Sequence, residues 1–258
     1  MRKFIILAQP RTGSTLMTSL IQKSAPKGIR CINEPINPVG HKHHMKGPSP
    51  QLIPQEILCH DITRALDICF EPIFEHVEND VKHVSWIKHR RDGHIAAGFK
   101  IMAHQIEALP HERKFWEYLH RHDVKTIIIT RNNILMQWIS DLIVKQTRQC
   151  VVWKGPVIRA KVEVPLADIE YNLDEIMRQN KYLLDKSASL DRRILCYEDF
   201  KDNHLVVEES LPWLLGIKYA VSAQCKKQNS DALCARVTNY EQLRSRIIEL
   251  GLEQYLTD

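Results

Sequence analysis

Residues 4 to 21 constrain this chain most. Phe4-Ile-Ile-Leu-Ala8 is a short apolar run that leads into Gln9-Pro-Arg-Thr-Gly-Ser-Thr15, and Leu16, Leu20 and Ile21 then recur at helical spacing. A strand, a turn holding Pro and Gly, and a helix N-terminus in direct succession present backbone N–H groups and the positive end of a helix dipole to an anion. Such a unit also opens a β–α alternation, and the rest of the chain continues it. Lys125-Thr-Ile-Ile-Ile-Thr130 is a continuous β-branched run of the kind buried on both faces of a parallel sheet.

The pattern predicts strands at 4–9, 29–32, 95–102, 125–130 and 193–197. Helices are predicted at 14–24, 55–76, 111–121, 134–146, 168–186 and 239–250, with a poorly periodic stretch at 150–165. In the 168–186 helix, Ile169, Leu173, Ile176, Leu183 and Leu184 share one face. Five prolines and the run His41-Lys-His-His-Met-Lys46 make 35–54 an irregular excursion. The expected fold class is α/β, a three-layer α/β/α arrangement around a central parallel sheet. With no repeat or low-complexity segment, one domain is expected over 1–258, carrying a substrate-side insertion near 35–54.

At 258 residues the chain is long enough to bury a sizeable core, and 44% hydrophobic with 26% charged residues is ordinary for a soluble protein. The net charge of +5 suits a small polyanion. The densest basic run, Lys88-His-Arg-Arg91, is too short to predict nucleic-acid binding. Seven cysteines form no Cys-x-x-Cys pair and leave an odd one, and no apolar run reaches the length of a signal segment or a membrane span. Reduced thiols and a cytoplasmic location are the expectation.

Aligned on the phosphate-binding pattern Gly-x4-Gly-Lys-[Ser/Thr], the first loop keeps Gly13 and Thr15 but has Ala8 at the first glycine and Ser14 at the lysine. Arg11 supplies a positive charge inside the loop. The 125–130 strand ends in Thr130-Arg131, where a magnesium-holding hydrolase would place an aspartate, and Ser140 follows nine residues later. Arginine at a strand's carboxyl edge with a serine on the next helix suits a phosphate monoester. Parallel strands gather such ends along one crevice. Each feature taken singly also has a plain reading, as a surface charge or an ordinary helix serine. The histidines at 41, 43 and 44 lack a nearby carboxylate or cysteine at zinc-site spacing, so no metal is expected.

These motifs resemble those of the sulfotransferases that use 3′-phosphoadenosine-5′-phosphosulfate (PAPS). Ala8-Gln-Pro-Arg-Thr-Gly-Ser-Thr-Leu16 is similar to their 5′-phosphosulfate loop, and Thr130-Arg-Asn-Asn-Ile-Leu-Met-Gln-Trp-Ile-Ser140 to their 3′-phosphate motif. Gly98-Phe-Lys-Ile-Met102, Lys145-Gln-Thr147 with Val152-Trp153, Tyr197-Glu-Asp-Phe200, Lys227-Gln-Asn-Ser230 and Val237-Thr-Asn-Tyr-Glu241 extend the likeness in order along the chain. It is nearest in flavour to the bacterial carbohydrate group, of trehalose and Nod-factor type. The His41–Lys46 segment matches nothing in the family's pattern, which leaves the acceptor unspecified.

The resemblance implies the P-loop-like sulfotransferase fold and metal-free, in-line transfer of a sulfuryl group to a small-molecule, carbohydrate or natural-product acceptor, with an amine or carbamoyl nitrogen also open. It implies that Arg11 and the Thr12, Gly13, Ser14 and Thr15 loop hold the 5′-phosphate and stabilise its growing charge. It implies Arg131 and Ser140 on the 3′-phosphate, with Lys226 or Lys227 closing over it. Glu34, following the second predicted strand in Cys31-Ile-Asn-Glu-Pro-Ile36, is the expected general base, with His104 in reserve; Lys100 is expected at the transferring group. Plain readings stand beside these: a loop acid for Glu34, a strand-end ion pair for Lys100, solvated surface charges for Lys226 and Lys227. A divergent P-loop kinase or NTPase and a non-catalytic nucleotide-binding module are the alternatives. Oligomerisation through the apolar faces of 168–186 and 239–250 is left open.

Overall fold

Continuous burial along the central strands shows that the sheet is covered on both faces. A computed structural model describes residues 1–23, 25, 28–36, 53, 55–70, 95–152, 155–222 and 232–256. Its elements are β1 (Arg2–Ala8), α1 (Ser14–Lys23), β2 (Ile29–Asn33), α2 (Gln55–His60), α3 (Ile62–Phe70), β3 (Ala96–Met102), α4 (Ala103–Glu107), α5 (Glu112–Arg121), β4 (Lys125–Thr130), α6 (Ile134–Thr147), α7 (Ile169–Lys186), β5 (Arg192–Cys196), α8 (Tyr197–Phe200), α9 (Leu205–Leu215), α10 (Leu233–Arg236) and α11 (Tyr240–Glu249). The strands form one sheet in the order β2-β3-β1-β4-β5, and every neighbouring pair is parallel.

Because side chains alternate across a strand, β1 sends Ile5 and Leu7 to one face and Phe4, Ile6 and Ala8 to the other. The first set joins Phe99, Ile101 and Ile128 under the helices that carry Leu66, Phe70, Phe115 and Leu119. The second joins Ile127, Ile129 and Leu195 against Met17 and Leu20 of α1 and Leu211 and Leu214 of α9. Helices therefore cover both faces, giving the three-layer α/β/α arrangement. A third cluster fills the space between α6, α7 and α11, around Trp138, Ile139, Leu173, Leu243 and Ile247. The apolar faces of the 168–186 and 239–250 helices thus bury Leu173, Leu183, Leu243 and Ile247 within the chain itself.

The expected strands are all present, β1 beginning two residues earlier at Arg2. Two differences have local causes. The helix expected at 55–76 is interrupted at Asp61, whose side-chain Oδ1 accepts the Arg64 N–H and starts α3 afresh. The described part of α3 ends at Phe70. Helix α9 was not in the periodic pattern, because Leu205-Val-Val and Leu211-Pro-Trp-Leu-Leu215 leave no clean polar stripe and Pro212 interrupts the helical signal. Arg2 donates to the carbonyls of Pro212 and Trp213 at its C-terminal end, at 3.1 Å each, which satisfies groups the helix leaves open.

The site-relevant consequence is topological. From β1 the chain crosses to β2 at one edge, returns through β3, then passes over β1 to β4. The order reverses about β1, so the carboxyl ends of β1, β2, β3 and β4 border one crevice, the usual ligand position in an open parallel sheet.

Candidate functional site

The loop after β1 is held from below by buried amides. Gln9 Nε2 donates to the Ile176 carbonyl at 2.7 Å and to Asn180 Oδ1 at 2.8 Å, tying the loop to α7. Gln137 of α6 donates to the Pro10 carbonyl at 2.9 Å and to Gln9 Oε1 at 3.3 Å. Thr12 is fully buried and its hydroxyl donates to the Gln9 carbonyl at 2.8 Å, so that side chain serves the loop's own shape. Arg11 and Gly13 adopt left-handed backbone, φ +65° and +80°, on either side of Thr12. Alternation of this kind curls successive N–H groups into an anion-binding nest. Gly13 is also required sterically, since a Cβ there would lie 2.3 Å from the Tyr197 ring. The α1 helix follows at Ser14, its free N–H groups adding to the same concavity.

Three cations converge on this loop from different elements. Lys100, on β3, is 3% exposed; its Nζ lies 3.1 Å from Thr15 Oγ1 and 3.0 Å from Glu34 Oε1. Arg11 donates from Nε to Ser140 Oγ at 3.1 Å and from Nη1 to the Cys150 carbonyl at 2.9 Å. Arg131, immediately past β4, donates from Nη1 to the Arg11 carbonyl at 3.1 Å and lies 4.9 Å over the Tyr197 ring. Its buried Nε makes no hydrogen bond, with Glu198 Oε1 standing 3.8 Å away. Burial lowers both guanidinium pKa values from the usual arginine level, and nearby acidic groups oppose that shift. Ser140, Arg11 and Arg131 therefore form one connected chain.

Glu34 stands just past β2 at φ +46°. Its N–H donates to the Lys100 carbonyl at 2.9 Å, continuing the β2–β3 ladder by one residue. Its carboxylate binds Lys100 through Oε1 and receives Gln105 Nε2 on Oε2 at 3.0 Å. A lysine this deeply buried must be paired, and Glu34 is the acid that pairs it. The side chain of Glu34 keeps 21% of its surface accessible, which opens it to a ligand in the crevice. His104, in the first turn of α4, is exposed, yet surrounding protein lowers its imidazole pKa against the opposing pull of Glu34, Glu107 and Asp141.

Glu198 orders the other side of the crevice. Its carboxylate accepts the backbone N–H groups of Asn132 and Asn133 and the Cys196 thiol. Burial alone would raise its pKa, but those donors bring it below the ordinary glutamate value. On β2, at the opposite edge of the sheet, the thiol of Cys31 is fully buried and pushed up to about 12 by that burial, partly offset by Lys100, so it is a small apolar filler.

The structure thus brings together Arg11, Thr12, Gly13, Ser14, Thr15, Glu34, Lys100, His104, Arg131 and Ser140 at one end of the sheet. Lys226, Lys227 and the His41–Lys46 run lie outside the described residues. Among those described, no three His, Cys, Asp or Glu side chains come together as a metal site. The sequence pattern missed Gln9, Gln137, Gln105 and Glu198. Gln9, Gln137 and Glu198 each lie inside a quoted motif, but nothing in those motifs showed what the side chains bind, and Gln105 lies in none.

Fold and site together define a parallel α/β protein with a cationic, nest-bearing crevice that also holds the carboxylates of Glu34 and Glu198. No family model matches the chain, and no curated protein does. Among solved structures it is similar to a sulfotransferase from Alicyclobacillus acidocaldarius, 14% identical over 99% of this chain and 96% of that one, with a TM-score of 0.49. A likeness so remote assigns no activity; the geometry alone bears on that.

Proposed function

We propose that this chain is a PAPS-dependent sulfotransferase acting on a hydroxyl, or alternatively a nitrogen, of a small-molecule, carbohydrate or natural-product acceptor. The observation that carries the proposal is the Glu34–Lys100 pair joined to Thr15: an acid, a cation and the anion-binding loop within direct contact. A magnesium-dependent nucleotide hydrolase would need an acid at the end of β4, where Thr130-Arg131 stands instead.

The donor set fits a nucleotide bearing two separate phosphate groups. The 11–15 loop and the α1 N-terminus would hold one, and Arg131 with Ser140 the other, joined by Lys226 or Lys227. Bound there, PAPS supplies an activated sulfuryl group on a phosphate leaving group. The chain itself must position the partners, balance charge with Arg11 and Lys100, and remove the acceptor's proton. Glu34 suits the proton transfer, because a carboxylate oxygen that accepts one donor keeps a second lone pair for an acceptor O–H. His104 is the reserve base. The proposal includes a cytoplasmic setting; among the described residues, no helix is long and apolar enough to cross a membrane.

Calorimetric titration with 3′-phosphoadenosine-5′-phosphate (PAP), run against AMP and against ATP with Mg²⁺, tests the proposal. Tight, metal-independent binding of PAP alone is expected. Preference for ATP with Mg²⁺ would overturn it in favour of a kinase or NTPase. PAP binding without any transfer from PAPS across an acceptor panel would make the chain a binding module.

A further inference from the structure

Gln105 is 1% exposed and makes two hydrogen bonds of opposite sense. Its Oε1 accepts the Met102 N–H at 2.9 Å, and its Nε2 donates to Glu34 Oε2 at 3.0 Å. The first bond fixes the second. A backbone N–H can only donate, so the amide oxygen must face Met102 and the NH₂ must face Glu34. Turning the amide over would set NH₂ against N–H and oxygen against carboxylate, two repulsions in a buried place.

We propose that Gln105 is a positioning residue for Glu34, holding one carboxylate oxygen while Lys100 holds the other. The inference rests on the reading of Glu34 as the base that receives the acceptor's proton. Glu34 is the last link of the β2–β3 ladder and sits in left-handed backbone, which a non-glycine residue keeps only when its surroundings hold it there. Two donors on two oxygens define the plane of the carboxylate, which one ion pair alone would leave free to rotate. Both donors come from β3 and the α4 turn that follows it directly, so the two groups that hold Glu34 share one continuous stretch of backbone.

A plainer role is available: Gln105 is the third residue of α4, where a glutamine commonly reaches back to the N-cap backbone. Gln105→Glu separates the two roles. It keeps an oxygen for the Met102 N–H and so keeps the cap, but replaces the donor facing Glu34 by a second carboxylate oxygen. Two carboxylates at that distance do not both ionise, so a proton is retained between them. Lys100 from β3, His104 from α4 and the Cys150 thiol beyond α6 are among the charged and titratable groups facing Glu34 from the described residues, and the substitution alters none of them.

The test is a pH titration of the Glu34 carboxylate by ¹³C NMR of glutamate-labelled protein, the resonance assigned by its loss in Glu34→Gln. In Gln105→Glu the midpoint is expected to rise by at least about one pH unit, and in Gln105→Leu, which removes the donor without adding a charge, by a smaller amount in the same direction. Thermal melts confirm folding, and Gln105→Leu decides the matter if Gln105→Glu does not fold. A midpoint unchanged in the folded variants would reduce Gln105 to a helix cap and overturn the proposal. PAP calorimetry on the wild-type protein is read separately. Failure there strikes the sulfotransferase reading, whereas an unmoved Glu34 midpoint strikes Gln105.

Discussion

At the residue scale, Glu34, like Arg11, holds a costly backbone conformation in the site. Left-handed backbone at a non-glycine residue costs about 1–2 kcal/mol, and here the Lys100 carbonyl, the Lys100 ammonium and the Gln105 amide all hold it. Glu34→Gln preserves the shape while removing the basic group. We expect it to lower transfer from PAPS to an active acceptor by about 10²–10⁴-fold, the usual contribution of a general base, while PAP affinity by calorimetry stays close to wild type. A rate within tenfold of wild type would move the proton transfer to His104 or to the acceptor itself. The placement of Glu34 and Arg131 just past strands, and of Lys100 within one, was legible from the runs that announce those strands. Gln105 was not. Its partner on the backbone is Met102, which has no capping hydroxyl to complete a recognisable pattern, and its other partner lies 71 residues away.

At the element scale, β1, β3 and β4 were legible because a strand covered on both faces must be apolar throughout, and few other structures tolerate that pattern. The break at Asp61 and the existence of α9 were not, since both depend on what the helix packs against and not on its own period. Arg2 shows the same dependence: its guanidinium closes α9 from more than 200 residues away. Gly98 gives this scale its prediction. It pairs with Phe4 in the centre of the sheet, and a Cβ there would lie 2.4 Å from the Phe4 carbonyl oxygen and 2.5 Å from the Phe4 ring. Neither can move without disturbing β1 and the loop it carries. Gly98→Ala should therefore destabilise the protein by about 1–3 kcal/mol through overpacking, read as a lower denaturation midpoint in urea. An unchanged midpoint would mean that β1 and β3 separate more easily than their register implies.

At the scale of the whole molecule, pH should act through His104. Its pKa is lowered in the folded chain, so between the folded and unfolded values the unfolded chain binds more protons, and stability rises with pH. The contribution is complete above the ordinary imidazole value near 6.5 and is lost as pH falls through the folded value. Thermal melts from pH 8 to pH 5 should show a steeper acid-side decline for the wild type than for His104→Gln. Parallel curves would show that His104 titrates as it does in the unfolded chain.

The route by which the chain reaches its crevice sets one more property. Arg131 meets the Arg11 carbonyl across 120 residues, and Lys100 meets Thr15 across 85. Long loops must therefore close before those contacts form, the regime in which chains fold slowly. Any contiguous fragment that holds both Arg11 and Arg131 also contains β2, β3 and β4. Nascent chain emerging from synthesis carries no assembled crevice until β4 is made and inserted beside β1. Under the proposed function, nucleotide binding waits for the β1–β4 seam of the sheet to close.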